Sequence, residues 1–180
     1  MRALARSGAP EGVWLRADAQ TGGRGRSGRH WVSPPGNLYA STLVRLRPDD
    51  PPAPGLALVA AVALEEVASA YVPDRALMLK WPNDLLCDGA KLAGILLERE
   101  GDAVVAGIGV NLAHHPHDLD RPATDLGGVD PAAFLADLAD SFARWVSVWR
   151  GEGLAPIVAR WLARAHPLGT ALDVRAVGSE

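Results

Sequence analysis

Cysteine is nearly absent. Cys87 is the single thiol in 180 residues, so no disulfide can form within the chain and a small secreted domain stapled by bridges is excluded. An excess of charge of one sign is missing too. A formal net charge of −3 does not fit a generally basic nucleic-acid binder, although a local basic patch stays open. Long hydrophobic runs are lacking. The longest, Leu56 to Leu64, stops at Glu65-Glu66 and is too short to span a bilayer. Met1 to Glu11 carries Arg2 and Arg6 but no apolar stretch of signal-peptide length. There is no internal repeat. These absences lead to the expectation of a soluble cytoplasmic protein. What is present is ample apolar material, 48% of the chain, enough for the core of one ordinary domain. Glycine and proline together make 33 of 180 residues, which is rich yet short of low complexity.

The patterning predicts an α+β domain. Met1 to Ser7 reads as a helix end stopped by Gly8, Val13 to Ala17 as a short strand, and Asn37 to Leu46 as a longer one. Gln20 to Gly36, with its glycines, arginines and prolines, reads as a loop. Gly55 to Tyr71 has helical spacing at Leu56, Val59, Ala63, Val67 and Tyr71. Leu77 to Trp81 is a short strand. Leu85 to Cys87 and Lys91 to Glu98 flank the hairpin signal Asp88-Gly89. Val104 to Leu112 has no proline and suits a central strand. Asp130-Pro131 reads as N-cap and first turn of a helix striped by Phe134, Leu138, Phe142, Trp145 and Trp149. A second helix, Ala155 to Ala165, packs through Ile157, Trp161 and Leu162. A turn at Pro167-Leu168-Gly169 leads to a strand start at Ala171 to Val177. This order predicts a mixed, mostly antiparallel sheet with helices packed on one side.

Three segments carry chemistry. Gly23-Arg24-Gly25-Arg26-Ser27-Gly28 spells G-x-G-x-x-G, the letters of a dinucleotide fingerprint. That reading fails, because the mechanism needs a helix starting at the motif, and Arg29 to Pro35 cannot be one. A G-K-[ST] phosphate loop is absent as well. The glycines still allow close approach of a ligand to backbone N–H groups, and Arg24, Arg26 and Arg29 can fork onto phosphate or carboxylate. Trp31 adds an apolar wall. An ordinary solvated loop, or one touching RNA, has the same composition. Lys80-Trp81-Pro82-Asn83-Asp84 leaves a strand and turns, bringing a carboxylate to a strand end. Lys91 then opens an apolar strand in which Gly94 leaves room beside the backbone. A turn and a solvated lysine explain these residues equally well. In Gly107-Ile108-Gly109-Val110-Asn111-Leu112, the glycines weaken a strand unless something approaches closely.

Taken together and in this order, the segments resemble the biotin protein ligases, the biotin–[acetyl-CoA-carboxylase] ligases, over about Met1 to His166. Gln20 to Trp31 resembles their biotin-binding loop. Lys80 to Asp84 with Lys91-Leu92-Ala93-Gly94-Ile95-Leu96 is similar to the second signature, and Gly107 to Asn111 to the third. The resemblance implies a fold like that of class II aminoacyl-tRNA synthetases and a two-step reaction. Biotin and MgATP give biotinyl-5′-AMP and pyrophosphate. The biotinyl group then passes to a lysine of a biotin carboxyl carrier domain of acetyl-CoA carboxylase or a related carboxylase. ATP and Mg²⁺ act as co-substrate, and no tightly bound cofactor is implied.

By the same resemblance, Lys91, Arg26, Arg29 and Asp84 are the catalytic group. Gln20, Gly23, Arg24, Lys91, Gly94 and Gly107 bind biotin. Arg26, Arg29, Trp31, Asn83 and Asn111 face the nucleotide, Trp31 also forming part of the hydrophobic cover. Asp84 either holds Mg²⁺ or accepts the proton of the acceptor lysine, the second role being preferred. Other metal ligands are not implied. The Gly-rich loop is costly to order and is expected to close only over ligands.

The family's Ser-Thr-Asn segment and first strand lie before the point where Met1 matches, and its small C-terminal β-barrel would begin at residues 167–180. The expectation is therefore a catalytic domain over residues 1–166, shortened at both ends, with no DNA-binding domain and no repressor function. A non-catalytic biotin- or nucleotide-binding remnant and a lipoate ligase are the alternatives. Nucleic acid and membrane are not expected as partners. A homodimer through strand edges near Val104 to Leu112 stays open.

Overall fold

Alternating apolar residues fold into six strands of one sheet in this computed structural model, which describes residues 1–117, 122–167 and 169–171. The strands are β1 (Trp14–Ala17), β2 (Leu38–Arg45), β3 (Leu77–Lys80), β4 (Asp84–Cys87), β5 (Ala90–Glu100) and β6 (Ala103–Val110). Their order is β1-β2-β6-β5-β4-β3, and every neighbouring pair is antiparallel. Among the described residues, parallel pairing is confined to two isolated bridges, Leu79 with Ala165 and Lys91 with Ala123. The β4–β5 hairpin turns at Asp88-Gly89, both left-handed with φ of 51° and 79°, as a two-residue turn of this sequence requires.

Among the described residues, four α-helices pack on the sheet: α1 (Arg2–Arg6), α2 (Leu56–Tyr71), α3 (Pro131–Glu152) and α4 (Ala155–Leu162). The α3 start follows from its sequence. The Asp130 carboxylate accepts from the Ala132 and Ala133 N–H groups, and Pro131 fills a position that needs no donor. At the end of α4 the chain departs from expectation. The helix stops at Leu162 rather than Ala165, because Ala165 is drawn alongside β3, where the Leu79 N–H donates to the Arg164 carbonyl at 2.7 Å. Leu162, expected in the core, is 45% exposed.

Residue parity on the central strands decides what each face does. Val104, Ala106, Ile108 and Val110 of β6, with Leu38, Ala40 and Val44 of β2, face α2, α3 and α4 and form the main core. Odd-numbered Ala103 and Val105, with Leu43, point the other way and are capped by Ala5 of α1. Helices therefore cover one face as predicted, while short α1 lies on the opposite one. Further along that opposite face, odd-numbered Gly107 and Gly109 leave the sheet backbone open.

Strand β6 sits between β2 and β5, so the segment Val104 to Leu112 offers no free edge for a second subunit. The edge strands are β1 and β3. The stretch Ala53–Tyr71 is long and apolar enough, by length and composition, to cross a bilayer. Here it is the central core helix, with Val59, Ala60, Val62, Ala63 and Leu64 fully buried against the sheet and α3. The strand predicted at Ala171 to Val177, like Leu168 of the predicted turn, lies outside the described residues apart from Ala171.

Candidate active site

The open half of the sheet carries a cleft of about 1170 Å³. Its floor is a cross-strand pair of glycines, Gly94 of β5 opposite Gly109 of β6. The Trp31 indole lies on this floor. A Cβ at Gly109 would come within 2.9 Å of the Trp31 ring, and one at Gly94 within 3.2 Å. Only glycine lets an aromatic ring rest this close to a sheet. Trp31 Nε1 is buried there with no hydrogen-bond partner among the described residues, a cost that a ligand acceptor could relieve.

Trp31 is delivered by the Gly-Arg loop, which folds as a narrow ribbon. The Gly25 N–H donates to the Arg29 carbonyl at 2.8 Å and the Trp31 N–H to the Gly23 carbonyl at 3.0 Å. The tip, Arg26–Gly28, contains left-handed Ser27 and Gly28. Gly23 admits no other residue. A Cβ there would meet the Trp31 carbonyl at 2.5 Å and the Ser33 hydroxyl at 2.6 Å. Arg24, Arg26 and Arg29 are exposed along the ribbon and line the cleft.

Across the cleft, Lys91 Nζ donates to Asp84 Oδ1 at 2.5 Å, with side chains only 13% and 10% exposed. The ammonium also lies 5.2 Å from the centre of the Trp31 ring. A bulge makes this possible. Leu85 pairs with Ala93 but Leu86 with Lys91, so Leu92 is an extra residue on β5. In a regular strand Lys91 and Gly94, three apart, would face opposite sides; the bulge puts both in the cleft. Asn83 fixes the turn before Asp84. Its backbone carbonyl accepts from the Ile95 N–H at 2.9 Å, and its amide donates to the Ile95 carbonyl at 2.8 Å.

Of the twelve residues singled out in the sequence, eleven line this one cleft: Gln20, Gly23, Arg24, Arg26, Arg29, Trp31, Asn83, Asp84, Lys91, Gly94 and Gly107. Asn111 is not brought to its lining. It is 3% exposed, donates through Nδ2 to the Thr124 carbonyl at 3.1 Å, and holds the segment after residue 121 against the sheet. Sequence reading missed Gly109, though its alternation with Gly107 places both on one face. It also missed Tyr39 and Ser41, which occupy the same face of β2, and Arg2 of α1. Burial pushes the Tyr39 phenol above its ordinary range, and its hydroxyl donates to the Pro34 carbonyl at 2.8 Å. No pattern in the sequence points α1 to this site.

The cleft thus pairs an apolar, flat slot with several guanidinium groups and a lysine ammonium. Such a site can hold a planar or slender organic group beside an anionic one and offset negative charge developing between them.

Comparison with known proteins agrees with this. The biotin/lipoate A/B protein ligase family matches residues 7–113. The biotin–[acetyl-CoA-carboxylase] ligase of Paracoccus denitrificans is 45% identical over 91% of this chain and 75% of its own length. The bifunctional ligase/repressor BirA of Bacillus subtilis is 34% identical over 96% of the chain, which spans only 57% of that protein. Among solved structures, the Aquifex aeolicus biotin protein ligase in complex with biotin and ATP superposes with a TM-score of 0.83 at 27% identity, covering 93% of this chain and 74% of that one. The Leishmania major biotin protein ligase bound to biotinyl-5-AMP gives 0.83 at 25% identity, covering 99% and 81%.

Proposed function

The chain belongs to the biotin/lipoate A/B protein ligase family, and we propose that it joins biotin to ATP and passes the biotinyl group to a protein lysine. The observation that carries this reading is the cleft itself. Eleven residues from three separate segments meet around Lys91 and Asp84, above a glycine floor. The names of the relatives, biotin ligases, support it over a lipoate ligase or a non-catalytic remnant.

Biotin's ring system and chain occupy the slot along Gly107, with the Trp31 ring seated on Gly94 as its wall, and its carboxylate points at Lys91. A carboxylate attacking the α-phosphate of ATP brings two anions together. The Lys91 ammonium, with Arg26 and Arg29 from the loop, supplies the fixed positive charge that offsets this repulsion and the charge gathering on pyrophosphate. Mg²⁺ enters with the nucleotide as MgATP. Asn83 and Trp31 border the nucleotide side, and Gln20 and Arg24 border biotin.

Lys91 is held by Asp84 before the anions arrive. Once the biotin carboxylate and α-phosphate compete for the ammonium, the Asp84 carboxylate is released to accept the proton of the incoming acceptor lysine. The acceptor amine then attacks the mixed anhydride, and AMP leaves. The acceptor is a biotin carboxyl carrier domain, and the reaction takes place in the cytoplasm. The chain is mixed with biotin and MgATP, and pyrophosphate and biotinyl-AMP are measured before a carrier domain is added. Adenylate formation that disappears in Lys91→Ala supports the reading; no adenylate from the unaltered chain overturns it.

A further inference from the structure

Arg75, in the connection between α2 and β3, is not among the cleft residues. Its guanidinium nevertheless joins the two segments that flank Lys91 in space. Nε donates to Asp88 Oδ2 at 2.7 Å, Nη1 to the Asp125 carbonyl at 2.9 Å, and Nη2 to the Thr124 hydroxyl at 3.0 Å. Asp88 belongs to the turn that leads from Asp84 into Lys91. Thr124 belongs to the segment that takes both backbone hydrogen bonds of Lys91. The Lys91 N–H donates to the Pro122 carbonyl at 2.9 Å, and the Thr124 N–H donates to the Lys91 carbonyl at 3.0 Å.

The same segment is pinned at two further points. Asn111 donates to the Thr124 carbonyl. Asp125 accepts from the Gly127 N–H and lies 2.6 Å from His115 Nδ1. Burial raises the Asp125 carboxyl, but those two hydrogen bonds together with the nearby His115 and His114 rings hold the group below its ordinary range. The Asp88 carboxylate also accepts from the Ala76 N–H at 3.0 Å, which fixes Arg75's own backbone neighbour.

We propose that Arg75 is a positioning residue that clamps the 88–89 turn to the 122–125 segment and so sets where the Lys91 ammonium stands in the cleft. The inference rests on the reading of Lys91 as the charge clamp of adenylate formation. Three acceptors of three kinds, a carboxylate, a hydroxyl and a carbonyl, lie in different directions. A guanidinium fork satisfies all of them together, whereas a lysine ammonium at the end of a flexible stem does not. A displaced Lys91 still attracts anions but loses alignment with the charge that builds up in the transition state.

The test uses the full chain with Arg75→Lys, which keeps the charge, and Thr124→Val, which removes one tie. Adenylate formation is followed as kcat and as KM for biotin and for ATP. Position is read independently of activity. The chain contains only two lysines, Lys80 and Lys91, and Lys80 is exposed. Labelling by an amine-reactive reagent, quantified by mass spectrometry, therefore reports Lys91 against Lys80 as an internal reference. Arg75→Lys is expected to lower kcat by about tenfold or more, to change each KM by less than about twofold, and to raise Lys91 labelling relative to Lys80. Thr124→Val shifts both readouts the same way by less. Wild-type kcat together with an unchanged labelling ratio in Arg75→Lys overturns the proposal, as does an activity loss that only tracks the unfolded fraction by circular dichroism. If the unaltered chain makes no biotinyl-AMP, the functional reading fails, while the labelling ratio still decides whether Arg75 positions Lys91.

Discussion

Lys91 and Asp84 form a 2.5 Å ion pair across the β4–β5 bulge, at the centre of the cleft. The pair makes the two chemical steps separable. Asp84→Asn keeps the size of the side chain but removes its charge and its capacity to take a proton. Adenylate formation, which needs the Lys91 charge, falls modestly. Transfer to the carrier lysine, which needs a base, falls by about 10²-fold. Pyrophosphate release and biotin incorporation into the carrier domain, measured in separate single-turnover experiments, check this. Equal losses in both steps would assign Asp84 to holding Lys91 alone.

Gly109 is predicted to tolerate no side chain. Its missing Cβ is what allows the Trp31 ring to lie flat at 2.9–3.1 Å from the ideal Cβ position. Gly109→Ala lifts the ring and narrows the slot, a penalty of the overpacking kind that corresponds to a loss in biotin affinity of about tenfold or more. Gly107→Ala makes only ordinary contacts within the protein, 3.6 Å to the Leu96 carbonyl and 3.8 Å to Ser41 Oγ. Its melting temperature should match the parent, so that any affinity lost comes from the ligand. Calorimetric titration with biotin, alongside thermal melts of both variants, tests the contrast.

Much of this was legible before folding, for identifiable reasons. The strand over Asn37 to Leu46 could be read from its alternation, which carries Leu38, Ala40 and Val44 to one face, and the Asp130-Pro131 cap fixed the start of α3. Asp88-Gly89 announced its hairpin. The site residues could be read because their types are costly elsewhere: glycines within a strand, and arginines crowded on a short loop. What escaped reading depends on three-dimensional pairing. The bulge at Leu92 and the cross-strand meeting of Gly94 with Gly109 leave no local signal. Asn111, assigned to the nucleotide by the resemblance, lies outside the cleft lining, and its amide donates to the Thr124 carbonyl. Burial of polar groups demands such partners whether or not a ligand exists.

The Gly-Arg ribbon is held across its stem by three backbone hydrogen bonds, Gln20 to Ser33, Trp31 to Gly23 and Gly25 to Arg29, with a tip of left-handed residues. Few bonds and exposed arginines place it at the low-stability end of the fold. Trypsin should therefore cut after Arg24, Arg26 or Arg29 in the free protein, and biotin with MgATP should protect these sites while leaving cleavage elsewhere unchanged. Equal cutting rates with and without ligands would separate the loop from adenylate binding.

Far from the cleft, Arg150 holds the start of the sheet to the end of α3. It takes Glu11 in a bidentate pair at 2.6 and 2.8 Å and reaches Asp50 at 3.0 Å, with Asp50 only 6% exposed. The Arg150 hydrogen bonds hold the Glu11 carboxyl below its ordinary value of 4.5. Burial would raise Asp50, but the Arg47 backbone N–H and Arg150 keep it below 3.8. Both carboxyls have folded values depressed relative to unfolded ones. Their stabilisation is thus complete above about pH 5 and is lost as pH falls below 4 through the folded values. Arg150→Met leaves Glu11 and Asp50 facing each other with only the more distant Arg47 guanidinium, 3.8 Å from Glu11, as a cation. It should cost about 3 kcal/mol at pH 7, and the deficit should shrink as both carboxyls become protonated toward pH 3. Denaturant melts of the parent and Arg150→Met at pH 7, 5 and 3 give the test: a deficit that stays constant across this range would mean that Arg150 contributes through packing rather than charge.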